Sequence, residues 1–258
     1  MVLTTGRGPA SVKSLTEETK ANHYVICGNG AIIYDLQEKK SIYQNLLDKK
    51  KILQLTQICE ENSIYYCIYT EDSIITKTLN YNTLFYHHEN NRKPDDKKTN
   101  IHIVQDIYNY VLEREKEDYS KMMICDDDTI IFNSIIKKIK MVKNIDVLDV
   151  GHMSKKIIKE GTKEHLLEYY YTEISSQNVD KWSAISYLIS KLGIKPEEVI
   201  AIGDNINDQT MLENAGLGIA MGNSAPYIQK MANEVTLSND EDGVAVAIEK
   251  HVSLGTLV

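Results

Sequence analysis

Cysteine is scarce in this sequence. Cys27, Cys59, Cys67 and Cys125 are the whole complement, and no two of them form a CxxC pair or a zinc-ligand spacing. That excludes a disulfide framework or a zinc ribbon and predicts buried free thiols in a reducing compartment. A positive field is also lacking: 29 Lys and Arg stand against 37 Asp and Glu, a formal net charge of −8 with a pI near 5.4. Nothing in that balance favours nucleic acid or an anionic membrane. A phosphate ligand would have to be met by a local metal or a few placed basic residues. No apolar run approaches the roughly 20 residues that a spanning helix requires. The first residues, Met1 to Arg7, do not set a charged region before an apolar one, so a signal peptide is not expected. The expectation is a soluble, cytoplasmic protein with neither nucleic acid nor membrane as partner.

Glycine disappears between Gly30 and Gly151, where Lys, Asn, Tyr and Glu become abundant. This change of texture divides the chain. Before it, Val2 and Leu3 read as the end of a buried strand, followed by Thr5-Gly6-Arg7-Gly8, which offers a hydroxyl, a close backbone and a guanidinium. A helix is expected from about Ser11 to Asn22, then strands at 24–27 and 31–35 separated by Gly28-Asn29-Gly30. Asn29 is equally at home there as a turn residue that tolerates positive φ. Within the changed stretch, helical spacing covers residues 46–61, 104–117 and 128–141, and strands are expected at 63–70, 73–77, 121–125 and 145–150. Residues 87–100 are polar and read as a loop, with His87 and His88 solvated rather than metal-binding. Residues 169–174 would return the chain to the main body.

The last third regains a regular rhythm. A helix over 181–192 is closed by Gly193. Residues 199–202 then form a short apolar strand, followed directly by Gly203-Asp204-Asn205-Ile206-Asn207-Asp208 and a helix from about Gln209 to Asn214. Further strands are expected at 218–221 and 235–237, with helices after Ser224 and over 243–251. Strand and helix alternating in this way predict a doubly wound parallel sheet. In such sheets ligands bind at the carboxyl ends of strands, and two aspartates there suit Mg²⁺, which takes one or two carboxylates, waters and substrate phosphate. Either aspartate alone could equally be a helix cap.

Thr5-Gly6-Arg7 after a strand, Lys181 opening a helix and Gly203 to Asp208 after another strand occur in a fixed order. Together with Asn29-Gly30-Ala31 and the run Asn239 to Ala245, they resemble the haloacid dehalogenase-like superfamily, and within it the Cof-type phosphatases. The resemblance covers the two outer segments of the chain and implies an α/β fold: a Rossmann-like, doubly wound parallel core with an inserted α/β cap. It places the first part of the core at 1–36, the cap at 37–168 and the second part of the core at 169–258. It further implies phosphoryl transfer to an aspartate followed by hydrolysis, with Mg²⁺ as cofactor and a small phosphorylated metabolite, such as a sugar phosphate, as partner. Thr5 and Lys181 match the hydroxyl and lysine that hold phosphoryl oxygens. Asp204 matches the metal ligand and Asp208 the acid that orients it or its water. Gly6, Arg7, Asn29, Gly30 and Asn207 match phosphate and substrate contacts.

One departure accompanies the match. The family's nucleophile and general acid lie two residues apart in a DxDxT motif after the first, central core strand, which this reading takes as missing before Thr5. The nearest imitation, Asp126-Asp127-Asp128-Thr129-Ile130, has Ile where the motif needs Thr and sits mid-cap before a helix it could cap. Two explanations are a truncated phosphatase or a non-catalytic protein that binds phosphate and Mg²⁺; intact Thr5, Lys181 and Asp204 favour the first. In either case the chain as given is expected to be inactive and marginally stable. A two-component receiver domain shares the acid-plus-lysine logic but has no such cap. Neither the substrate nor the oligomeric state is legible in the sequence.

Overall fold

The computed structural model describes residues 1–9, 12–19, 21, 23–115, 117–148, 153–160 and 163–252. They divide into two units, Met1–Val179 and Asp180–Val258. Among the described residues no helix is long and apolar enough to cross a membrane.

The first unit opens with β1 (Leu3–Thr4), α1 (Lys13–Glu18), β2 (Tyr24–Cys27), β3 (Ile32–Asp35) and β4 (Lys40–Gln44), whose strands form a sheet in the order β1-β2-β3-β4. β1 runs parallel to β2, with Leu3 opposite Val25, and the other pairs are antiparallel. The turn from β2 to β3 takes positive φ at three successive residues, 59° at Gly28, 57° at Asn29 and 108° at Gly30, which two glycines and an asparagine supply at low steric cost. Val12, Val25, Cys27, Ala31 and Ile32 form the core beneath this sheet. β4 joins it although residues 37 onward were expected in the insertion. The expected ends of the first helix, Ser11 and Asn22, lie outside the described residues.

A larger sheet follows. It is built from β5 (Tyr65–Thr70), β6 (Ser73–Thr76), β7 (Asn100–Ile103), β8 (Tyr119–Asp126), β9 (Ile145–Val147), β10 (Ser154–Glu160) and β11 (Lys163–Ser176), in the order β10-β11-β8-β5-β6-β7 with β9 also on β11. Between these strands run α2 (Lys49–Glu61), α3 (Tyr81–Asn90), α4 (Ile107–Glu113) and α5 (Thr129–Ile139). The period of two along each strand sorts side chains onto opposite faces. Tyr66, Ile68, Met122 and Ile124 pack with Ile52, Leu55, Val111 and Ile135 of the helices, whereas Cys67, Tyr69, Met123, Cys125 and Tyr169 form a second cluster. All four cysteines are buried and free.

Two readings from the sequence change here. Residues 87–90 are not loop but the end of α3, whose Asn80 N-cap accepts from the Tyr81 amide at 2.8 Å and exchanges capping bonds with Thr83. His87 and His88 are its last turn. Residues 169–174 lie inside β11, a 14-residue strand paired on both sides within the larger sheet. Val150, the expected end of the strand at β9, lies outside the described residues.

The second unit alternates α6 (Lys181–Leu192), β12 (Ile200–Gly203), α7 (Gln209–Asn214), β13 (Leu217–Ala220), α8 (Pro226–Met231), β14 (Glu234–Val235) and α9 (Gly243–His251). Its strands pair in parallel in the order β12-β13-β14, the parallel-sheet architecture that the strand–helix rhythm predicts. Asp180 caps α6 by accepting the Trp182 and Ser183 amides at 2.8 and 3.0 Å, and Thr210 donates to it at 2.9 Å, tying α7 to α6. Ser224, expected as a helix cap, is instead buried, its hydroxyl has no partner among the described residues, and α8 starts at Pro226 without a side-chain cap.

Candidate functional site

In the second unit the candidate residues sit where β12 gives way to α7. Lys181 is the first residue of α6, and its ammonium donates to one oxygen of Asp208. The other oxygen of Asp208 accepts the Asp204 and Asn205 amides at 2.9 and 3.0 Å. Lys181 and Asp208 are only 5% and 3% exposed, so this is a buried ion pair whose carboxylate is further satisfied by two backbone donors, the condition under which such a pair is tolerated. Gly203 makes the arrangement possible. A Cβ there would lie 2.5 Å from Cβ and 2.7 Å from Cγ of Asp208, so any side chain would push the acid out of the loop.

Asp208 therefore orients rather than presents itself. Asp204 is the exposed carboxylate of the loop. Desolvation, and then the charge of Asp208, push its carboxyl above the usual carboxylate range against the pull of Lys181. An all-oxygen, crowded pair of acids at a strand end fits a hard cation. Among the described residues no cluster of three or more His, Cys, Asp or Glu could hold a metal, so a Mg²⁺ at Asp204 would complete its sphere with water and ligand oxygens, as that ion commonly does. Asn207 is half-buried in the same loop.

In the first unit, two loops are fastened together after β1 and β2. The Thr5 amide donates to Ile26 at 2.9 Å, Asn29 donates to Thr5 at 3.0 Å and Gly28 to Arg7 at 2.9 Å, all backbone to backbone. The Thr5 hydroxyl accepts the Arg7 amide at 3.1 Å. A Cβ on Gly6 would come within 2.8 Å of the Asn29 side-chain oxygen, so a larger residue here would displace the Asn29 amide group. Asn29 reaches across to Glu173 on β11, which also accepts from Lys121 on β8 at 2.5 Å.

The loop after β1 forms one wall of a cavity of about 190 Å³. Thr5, Gly6 and Arg7 line it together with Lys121, Lys156 and Glu173, and four tyrosines (Tyr69, Tyr86, Tyr169 and Tyr171) complete much of the surface. Asn82, 1% exposed, anchors one side by donating to the Tyr69 hydroxyl at 2.5 Å. Burial pushes the Tyr86 phenol up to about 12, with Arg7 acting in the opposite direction.

The structure thus brings Lys181, Asp204, Asn207 and Asp208 together in one unit, and Thr5, Gly6, Arg7, Asn29 and Gly30 together in the other. Sequence reading missed Lys121, Lys156, Glu173 and the tyrosines. Their one signal is alternation: Tyr169, Tyr171 and Glu173 are spaced by two along β11, as are Lys121 and Met123 along β8. It becomes meaningful only once Glu173 is known to sit opposite Met123. The Asp126–Asp128 stretch is engaged in local structure. Asp128 caps α5 by accepting the Ile130 and Ile131 amides at 2.7 and 3.1 Å, and Asp126 accepts the Asp128 amide at 2.8 Å.

A family model described as haloacid dehalogenase-like hydrolase matches residues 1–248. Phosphatase YwpJ of Bacillus subtilis is 28% identical over 253 residues, 95% of this chain and 85% of that protein. A putative phosphatase of Streptococcus pyogenes is also 28% identical, over 98% of this chain and 85% of its own length. Among solved structures, a haloacid dehalogenase-like hydrolase from B. subtilis superposes with a TM-score of 0.76 at 26% identity, covering 97% of this chain and 87% of that one.

Proposed function

The chain belongs to the haloacid dehalogenase-like hydrolases and is a phosphatase by homology; from that premise we propose that it binds small phosphomonoesters, such as sugar phosphates, in a Mg²⁺-dependent manner. The observation that carries this reading is the buried Lys181–Asp208 pair holding the Asp204 loop at the end of β12. In the second unit Lys181 supplies a cation for phosphoryl oxygens and Asn207 a further phosphate contact; in the first, Thr5 supplies a hydroxyl, with Arg7, Gly6, Asn29 and Gly30 as further phosphate and substrate contacts. Asp204 would hold the metal, with Asp208 orienting it. A bound Mg²⁺ would supply positive charge that offsets the phosphoryl oxygens. Lys181 serves the same electrostatic end, and its bond to Asp208 fixes where that charge sits.

The family's nucleophilic aspartate is carried in DxDxT, and the one stretch of these 258 residues that imitates it caps α5 through Asp128. The second reading is therefore specific: these 258 residues hold phosphate and Mg²⁺ without turning the ester over. Both readings are tested by assaying the chain on an aryl phosphate with and without Mg²⁺, beside calorimetric binding of inorganic phosphate. Phosphate binding that needs Mg²⁺, with no turnover above background, is the expected result. Turnover that is lost in Asp126→Asn or Asp128→Asn would assign the nucleophile to that stretch and overturn the non-catalytic reading. Turnover that survives both substitutions would overturn it as well. Phosphate binding that is absent, or indifferent to Mg²⁺ and to Lys181→Ala, would overturn the first.

A further inference from the structure

The cavity of the first unit carries more positive charge than its own acids offset. Arg7, Lys121 and Lys156 line it, against the single lining carboxylate of Glu173. That carboxylate is already engaged at both oxygens, by Lys121 and by Asn29. Lys121 also lies 4.7 Å from the centre of the Tyr69 ring. Behind Arg7 stands Glu89 at 3.9 Å, and Glu89 in turn has Lys93 at 3.6 Å. Four cations thus meet two carboxylates at and behind the cavity wall.

Lys156 is the charge left over. It projects from β10, is half-buried, and its ammonium lies 4.4 Å from the centre of the Phe85 ring on α3. Among the described residues it makes no ion pair, while Lys155 beside it pairs with Glu168 at 2.6 Å. A cation held over an aromatic face keeps part of its attraction without giving up its capacity to bind an anion. Burial lowers the pKa of this ammonium, and the nearby Arg7 acts in the same direction, while Glu89 and Glu173 oppose it. An anion in the cavity would relieve both unfavourable effects.

We propose that this cavity selects phosphomonoesters whose alcohol portion carries a second anionic group, a carboxylate or a second phosphate, seated against Lys156. The proposal rests on the reading of Thr5, Gly6 and Arg7 as the residues that meet the first phosphate. A cavity of about 190 Å³ suits a compact ligand rather than an extended one. Lys121 does not fill this role, because Glu173 neutralises it and Tyr69 covers it. Lys156 is thereby a specificity-determining residue, distinct from the residues that hold the phosphoryl group.

The test is calorimetric titration of the full 258-residue chain, with Mg²⁺ present, using two matched pairs and one control. Glycerol 3-phosphate and 3-phosphoglycerate differ by a terminal alcohol against a carboxylate. Fructose 6-phosphate and fructose 1,6-bisphosphate differ by a second phosphate. Inorganic phosphate is the control. In at least one pair the ligand with the extra anion should bind about tenfold or more tightly, the scale of one charge-assisted hydrogen bond, and that pair identifies the second anion. Lys156→Gln should bring the preference within about twofold by weakening the doubly anionic ligand more than its singly anionic match, whereas Lys156→Arg should keep the preference, which separates lost charge from lost folding. Equal binding within both pairs, or a preference that survives Lys156→Gln, overturns the proposal. If phosphate binds and no preference appears, this inference alone fails. If phosphate itself does not bind, the reading of Thr5 to Arg7 fails and the inference with it.

Discussion

The acid–lysine loop of the second unit and the cavity of the first are assembled in opposite ways. The loop is local: Asp204, Asn205 and Asp208 are neighbours in sequence, and Lys181 opens the preceding helix. Its buried carboxylate is saturated by three donors. The cavity draws side chains from β5, β8, β10, β11, α3 and the loop after β1, and its cations outnumber its acids. A saturated, local device suits a ligand part that never varies, such as phosphate with its metal. An unsaturated, non-local one suits the part that differs between substrates, because one strand residue can change without dismantling the fold.

That contrast can be broken first in the loop. Asp208→Ala leaves Lys181 buried without its partner and frees two amides, so we expect a loss of about 3–5 kcal/mol in stability, read by chemical denaturation. Hydrogen exchange should place the lost protection on residues 180–252. A variant as stable as the parent would mean that the loop is not held by this acid.

A smaller effect is expected in the cavity. Glu173→Gln leaves Lys121, which is 5% exposed in its side chain, without a counter-charge, yet beside a cavity in which water can solvate it. The expected cost is about 1–3 kcal/mol. Removing both charges, with Lys121→Met in the same chain, should recover most of it, since a matched apolar replacement leaves no unpaired charge. If the double variant is no better than Glu173→Gln, the pair is not the unit of stability there.

The smallest effect is a pH dependence at the outer edge of the second unit. Hydrogen bonds from Lys250 and His251 hold the Glu234 carboxyl below its ordinary range. A depressed folded-state pKa contributes stability that is complete above the unfolded value, about 4.3, and is lost as pH falls through the lowered folded value. The melting temperature should therefore fall slightly more steeply in acid for the parent than for Glu234→Gln. Parallel curves would show that this exposed pair contributes nothing measurable.

The same contrast explains what was legible in the sequence. Gly203 to Asp208, Lys181 and the closing Gly193 were readable because each is a short-range device: a tight approach, a helix start, a left-handed stop with φ of 70°. The helices Lys181–Leu192, Gln209–Asn214 and Gly243–His251 carry their periodicity and stop signals within themselves. Glu173 and Lys156 were not readable, since a charged residue on a strand looks solvated until its neighbours across the sheet are known. The helix Tyr81–Asn90 was missed for another reason. Its polar second half, His87 to Asn90, hides an apolar face made by Tyr81 and Tyr86. Ser224 misled because hydroxyl residues are usual helix caps, yet here the proline at 226 starts the helix one residue later than a Ser224 cap requires.

The proposed function depends most on Asp204 being the metal-holding group of a loop ordered by Asp208. Paramagnetic broadening by Mn²⁺, an ion that shares the oxygen-ligand preference of Mg²⁺, tests this directly on the amide signals of the chain. With inorganic phosphate present, sub-stoichiometric Mn²⁺ should broaden the amides of Gly203 to Asp208 first, excess Mg²⁺ should reverse the effect, and Asp204→Asn should abolish it while leaving the fold intact. Broadening that persists in Asp204→Asn, or that centres elsewhere on the chain, would contradict the account.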